Sequence, residues 1–183
     1  SEVPGIEVEL FVEKSSKSAR DQYAEIGVPV HITTGVSSSS FFYWPLLLKY
    51  IKKNRTILSE KIGDFDIAIA NMFPMNAVIS KLPVHRVQYC FEPYSVFYDR
   101  EMLNGLPLSN IKRWVAPFFS ELYKRLDIKR TRSMETVFTL NEITKSTIKK
   151  IYGVNATPTF TGIDLNFFKP TSSQVLTKEY KGK

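Results

Sequence analysis

The chain has 183 residues, 43% of them hydrophobic and 23% charged, which is enough to bury one sizeable core and excludes a disordered or fibrous class. Its single cysteine, Cys90, excludes an internal disulfide framework and suits a reducing compartment, so a cytoplasmic protein is expected. All of the net charge of +7 falls in residues 101–183, where 14 basic side chains face 7 acidic ones; residues 1–100 balance 11 against 11.

Ile6 to Val12 alternates apolar and polar residues and predicts a first strand, directly after the turn Pro4-Gly5. Lys14 to Gln22 is polar, a loop or short helix. Val28 to Thr33 predicts a second strand, closed by Gly35, and Ser37 to Ser40 a small loop. Pro45 suits a helix start, and Leu47, Leu48, Ile51 and Leu58 recur at helical spacing. Gly63-Asp64-Phe65-Asp66 turns into Ile67 to Ala70, a short run typical of a buried parallel strand. Met75 to Lys81 reads as a short helix and Val84 to Tyr89 as the next strand. Ser109 or Asn110 then caps a helix interrupted at Pro117 and reaching Met134.

Val137 to Phe160 is the clearest unit. Val137 to Leu140 predicts a strand, Asn141 an N-cap, and Ile143, Ile148 and Ile151 the inner face of a helix. Glu142 opens that helix, Lys149 and Lys150 close it, and Gly153 stands where a left-handed cap is needed. Asn155 to Phe160 predicts a further strand before the turn Thr161-Gly162-Ile163-Asp164. Strand, capped helix and strand make a βαβ unit, which implies a parallel sheet. The alternation along the whole chain predicts an α/β fold: a Rossmann-like, doubly wound, mostly parallel sheet with helices on both faces.

Ligands of open α/β sheets gather outside the carboxyl ends of the strands. That rule selects Asn71 to Met75, with Asn71 and Phe73 as candidate substrate contacts. It also selects Cys90 to Tyr94, and Thr139 to Asn141 with Asn141 as a further candidate. Each has a plainer alternative: Asn141 as an architectural cap, Tyr94, Phe97 and Tyr98 as core or cleft-wall aromatics, Glu92 as a carboxylate capping the next helix or paired with Arg100. His31 and His85 lie on separate strands without a nearby cysteine, which argues against zinc. Cys90 reads as an inert buried thiol. No Gly-x-Gly-x-x-Gly or Walker sequence occurs.

Tyr152-Gly153, Gly162-Ile163-Asp164 and Phe168-Lys169-Pro170, at their spacing, resemble the end of the first lobe in family 4 retaining glycosyltransferases of the GT-B fold. Cys90-Phe91-Glu92-Pro93 resembles the Tyr-His-Glu-Pro-like stretch of that family. The resemblance implies that residues 1–170 form the N-terminal, acceptor-side lobe, without the family's first strand and helix, and that 171–183 begin an interlobe linker. It implies sugar transfer from a nucleotide-sugar donor, held mainly on a second lobe, to a glycan or lipid-linked acceptor, with no metal in the chemical step and no further cofactor. Phe91 and Tyr94 would line the acceptor side, and Gly162 would lie at the cleft floor. Phe91 replaces the family's usual histidine, which leaves Glu92 as the ionisable candidate for the catalytic role. A second reading is a non-catalytic α/β lobe that binds a small ligand or a protein at the same strand ends.

On a helical projection Ile111, Val115, Phe118, Leu122 and Leu126 share one face, expected to pack on the sheet, with Lys112, Arg113, Lys124, Arg125, Arg130 and Arg132 largely around it. With Lys129, seven basic residues face only Glu121 and Asp127, so residues 111–132 carry +5. Such a helix can lie on an anionic membrane surface, which would put the protein peripherally on the inner face. Nucleic acid is not an expected partner, because the aromatics fall at core spacing rather than between exposed lysines.

Overall fold

Every described strand pair is parallel, and the strands form two sheets rather than the single sheet expected. The computed structural model describes residues 5–34, 42–99, 101 and 110–159. Gly162, the loop Ser37 to Ser40 and the linker expected over 171–183 lie outside the described residues. Strand β1 (Leu10–Val12) pairs with β2 (Val30–Ile32), and β3 (Ile67–Ala70), β4 (His85–Cys90), β5 (Thr136–Thr139) and β6 (Thr157–Pro158) follow one another in a second sheet.

Strand β1 is shorter than the alternating run 6–12, and the sequence of its partner explains it. The Leu10 N–H bonds the Pro29 carbonyl at 2.9 Å. The next rung toward the amino end would need an N–H from Pro29, which has none. Strand β6 covers only Thr157–Pro158 of the expected 155–160, although the Thr159 N–H still bonds the Thr139 carbonyl at 2.7 Å; Phe160 lies outside the described residues.

Helix α1 (Lys17–Glu25) forms where a loop or short helix was expected, with Ser16 Oγ accepting from the Ala19 N–H at 3.1 Å. Helix α2 (Tyr43–Ser59) starts two residues before Pro45 and buries Tyr43, Leu47, Ile51 and Asn54. Leu48, predicted on the inner face, is exposed, because one residue beyond Leu47 is a turn of about 100° off the buried stripe. Helix α3 (Met75–Ile79) and helix α4 (Ser95–Tyr98) are short.

Helix α5 (Asn110–Thr131) continues through Pro117 without the expected interruption. Its inner face also differs from the projected one. Phe118 and Leu122 are 68% and 42% exposed, while Tyr123, Asp127 and Thr131, at i, i+4 and i+8, are buried. A stripe chosen by hydrophobicity alone misses this face, because a carboxylate and a hydroxyl are buried there with partners.

Helix α6 (Glu142–Tyr152) has the predicted ends. Asn141 Oδ1 accepts from the Thr144 N–H at 2.9 Å, and Gly153, at φ 74°, sends its N–H to the Lys149 carbonyl at 3.0 Å. Ile148 and Tyr152 are buried, but Ile143 is 80% exposed and is no part of the inner face. Five residues before Ile148, it stands about 140° around the helix from it.

Helices α2, α3, α5 and α6 contact one another in series and so form one layer over one face of the sheet. Their core joins Tyr43, Leu47, Ile51, Phe73, Phe97 and Tyr123, and a second cluster joins Cys90, Val137, Ile148, Tyr152 and Ala156.

Candidate functional site

A cavity of about 550 Å³ opens at the carboxyl ends of β1, β3 and β4 and runs down between β1 and β3. Its rim carries Glu13 from just beyond β1, Tyr43 and Trp44 from the start of α2, Asn71 and Phe73 from beyond β3, and Tyr94 from beyond β4. Such a rim follows from the fold, since parallel strands all deliver their carboxyl ends to one side.

Glu13 organises the rim. Its Oε2 accepts from the Tyr43 hydroxyl at 2.9 Å and its Oε1 from Asn54 Nδ2 at 3.0 Å. Burial, and then the Glu13 carboxylate, push the Tyr43 phenol far above its ordinary range, so Tyr43 stays a neutral donor. Burial also raises the Tyr94 phenol. Trp44 lies 6.2 Å from Tyr94 between ring centroids and 5.6 Å from Tyr43, nearly perpendicular to the latter. The result is an aromatic wall beside a fixed carboxylate, an arrangement that can stack on the apolar face of a ring while accepting from its hydroxyls.

Three of the expected residues are brought together: Asn71, Phe73 and Tyr94 all line the cavity. Phe73 is buried among the core aromatics, 5.2 Å from Phe97 and 6.0 Å from Tyr123, and precedes a cis peptide to Pro74. Phe91 and Glu92 are not in the wall. Phe91 is exposed and packs on Tyr89 at 4.8 Å, and Glu92 is exposed and makes no hydrogen bond or ion pair with another described residue. Asn141 spends its side-chain oxygen on the helix cap. Glu13, Tyr43 and Asn54 were not among the sequence candidates. The strand-end rule reaches Glu13 once Leu10–Val12 is a strand; Asn54, in mid-helix, carries no comparable signal.

A second polar centre joins helices α3, α4, α5 and α6. Asp127, 1% exposed, accepts from Tyr152 at 2.8 Å, Tyr98 at 2.9 Å, Asn76 at 2.6 Å and Thr131 at 3.5 Å. Desolvation raises its carboxyl above the ordinary range, against the lowering effect of these four donors. Cys90, buried nearby, is pushed up to about 12 by burial first and then by the charges of Asp127 and Glu92. That makes it inert as a nucleophile. Among the described residues no three His, Cys, Asp or Glu side chains group closely enough to hold a metal ion, and no helix is long and apolar enough to cross a membrane.

No protein-family model matches this chain, and no curated protein matches it in sequence. The fold class is therefore carried by the structure itself: an α/β domain with parallel strands, consistent with a Rossmann-like arrangement.

Proposed function

We propose that this chain is the acceptor-side lobe of a retaining glycosyltransferase that transfers a sugar from a nucleotide-sugar donor to a glycan or lipid-linked acceptor. The observation that carries the reading is the strand-end cavity, whose wall joins Trp44 and Tyr94 to the Glu13 carboxylate and Asn71. Aromatic faces with fixed acceptors suit a sugar, which offers apolar C–H faces and hydroxyl donors. The string from Tyr152-Gly153 through Gly162-Ile163-Asp164 to Phe168-Lys169-Pro170 adds the sequence resemblance. In this reading the lobe orients the acceptor, and orientation supplies a large share of the rate. The donor contacts come mainly from elsewhere, so this chain alone transfers no sugar.

Titration of the 183-residue chain with glycans and glycolipid headgroups, read by NMR chemical shifts, tests the proposal. The expected result is shifts at the Trp44 indole, Asn71 and Tyr94. Shifts at none of these with any glycan, or turnover of a nucleotide sugar by this chain alone, would overturn it.

The exposure of Glu92 outside the cavity wall favours the second reading, a non-catalytic lobe that holds a ligand at the same strand ends. In a transferase reading Glu92→Gln, made in an intact enzyme that also carries the donor lobe, lowers kcat/KM by at least about tenfold with little change in stability; in a binding lobe it changes neither ligand affinity nor stability.

A further inference from the structure

Below the rim, the cavity is a slot between the edges of two strands. Leu10, Phe11 and Val12 form one side and Ile67 to Ala70 the other, with Leu58, Ile62 and Phe65 also in its wall. Both strands run from the same end to the same end. Glu13, past the end of β1, bonds Tyr43, which packs with Phe73 past the end of β3, while Phe11 meets Phe65, ahead of β3, at 6.1 Å.

The hydrogen-bond alternation of parallel ladders fixes what these edges offer. The Leu10 N–H and Val12 carbonyl bond β2, through Pro29 and Thr33. The N–H and carbonyl of Phe11 therefore point the other way, into the slot. The Asp66 carbonyl accepts from the His85 N–H, so residues 66, 68 and 70 face β4. Those of Ile67 and Ile69 face the slot. Two strand edges running the same way thus present backbone donors and acceptors to one another across an open gap, a costly arrangement in folded proteins.

Two further observations agree. Asn54, 1% exposed and lining the cavity, keeps its Oδ1 buried with no partner. Ile67 and Ile69 are 52% and 64% exposed in a strand whose sequence, Ile-Ala-Ile-Ala, is that of a sheet interior.

We propose that the slot between β1 and β3 is a strand-addition site whose occupant is one extended apolar polypeptide strand, parallel to both. The strand bonds Phe11 through one edge and Ile67 and Ile69 through the other, and it joins the two sheets into one continuous parallel sheet. Its inward side chains pack on Leu58 of α2 and on Ile62 beyond it, and the cavity rim above the slot stays open. This inference stands on the fold and is independent of the proposed activity.

The test uses the 183-residue chain and an acetylated, amidated peptide of alternating valine and isoleucine with a terminal lysine at each end. Amide hydrogen exchange is followed with and without about millimolar peptide. The expected result is slowing of at least about tenfold at Phe11, Ile67 and Ile69, with β5 unchanged. The same peptide N-methylated at alternate residues, unable to pair through one edge, should protect none of them. Ile69→Pro, which removes one slot-facing donor from an edge strand, should weaken the effect, provided β5 keeps its native exchange. No protection by the unmethylated peptide, or equal protection by the methylated one, overturns strand addition; the latter would mark an apolar pocket, and protection of β1 and β3 that rises with protein concentration alone would mark a second copy of the chain.

Discussion

Tyr152, the last residue of helix α6, donates its phenolic hydrogen to Asp127 Oδ2 at 2.8 Å, and so ties the Tyr-Gly helix end to the carboxyl-terminal part of α5. Tyr98 from α4 shares the same oxygen at 2.9 Å, and Asn76 from α3 holds the other at 2.6 Å. One carboxylate therefore fixes four helices relative to each other, and its removal takes the acceptor from four donors in the core.

Asp127→Ala is expected to destabilise the domain by about 3 kcal/mol, because Tyr98, Tyr152 and Asn76 lose a charged acceptor together. Tyr152→Phe should cost about 1 kcal/mol, since three donors remain on the carboxylate. Urea unfolding measures both, and equal losses would mean that the network is not centred on Asp127.

The pH dependence carries a defined sign. The folded carboxyl of Asp127 lies above its ordinary range, so its contribution is fully present below the unfolded pKa and is lost as pH rises through the raised folded value. Relative to Asp127→Asn, the native chain should therefore lose stability as pH increases across that window. A difference that stays constant with pH would show that the carboxyl is not shifted.

Glu135 behaves in the opposite way. The Arg86 guanidinium and backbone N–H both donate to it and hold its carboxyl down to about 2. Its contribution is present above the ordinary carboxylate value of 4.5 and disappears as pH falls toward about 2. Glu135→Gln should lower thermal stability slightly at neutral pH, by less than about 1 kcal/mol because the pair is partly solvated, and not at all near pH 2.

Cys90 should resist alkylation. With the thiol buried and its pKa pushed up to about 12, iodoacetamide at mildly alkaline pH should modify the folded chain at least about 100-fold more slowly than the urea-unfolded chain. Comparable rates, followed by mass spectrometry, would mean that this part of the core opens readily.

We expect α5 to meet a membrane through Phe118 and Leu122, side chains that the sequence projection placed on the face expected to pack on the sheet. Phe118 and Leu122 are exposed, with Arg125 and Lys129 at i+7 and i+11 from Phe118 on the same side. We expect co-sedimentation with anionic but not neutral vesicles, weakened by salt and by Arg125→Gln with Lys129→Gln, and further reduced by Phe118→Ser with Leu122→Ser. Binding indifferent to lipid charge, or absent, would leave these side chains simply solvated.

The sequence by itself determined the local order of this protein. Asn141 and Gly153 mark the ends of α6 because a capping side chain and a left-handed backbone position need nothing beyond neighbouring residues. Ile67 to Ala70 and Val137 to Thr139 announce parallel strands by being apolar without alternation, and the succession of such strands and helices carried the α/β class. Tertiary structure alone decided which faces are buried and which residues meet. The inner face of α5 runs through Asp127 and Thr131 because Asn76, Tyr98 and Tyr152, distant in sequence, supply their partners. No hydrophobic period can register a polar group that is buried at low cost only when other chain segments satisfy it. The same holds for the cavity: Glu13 meets Tyr43 and Asn54 across 30 and 41 residues, and that convergence is set by how α2 folds back over β1.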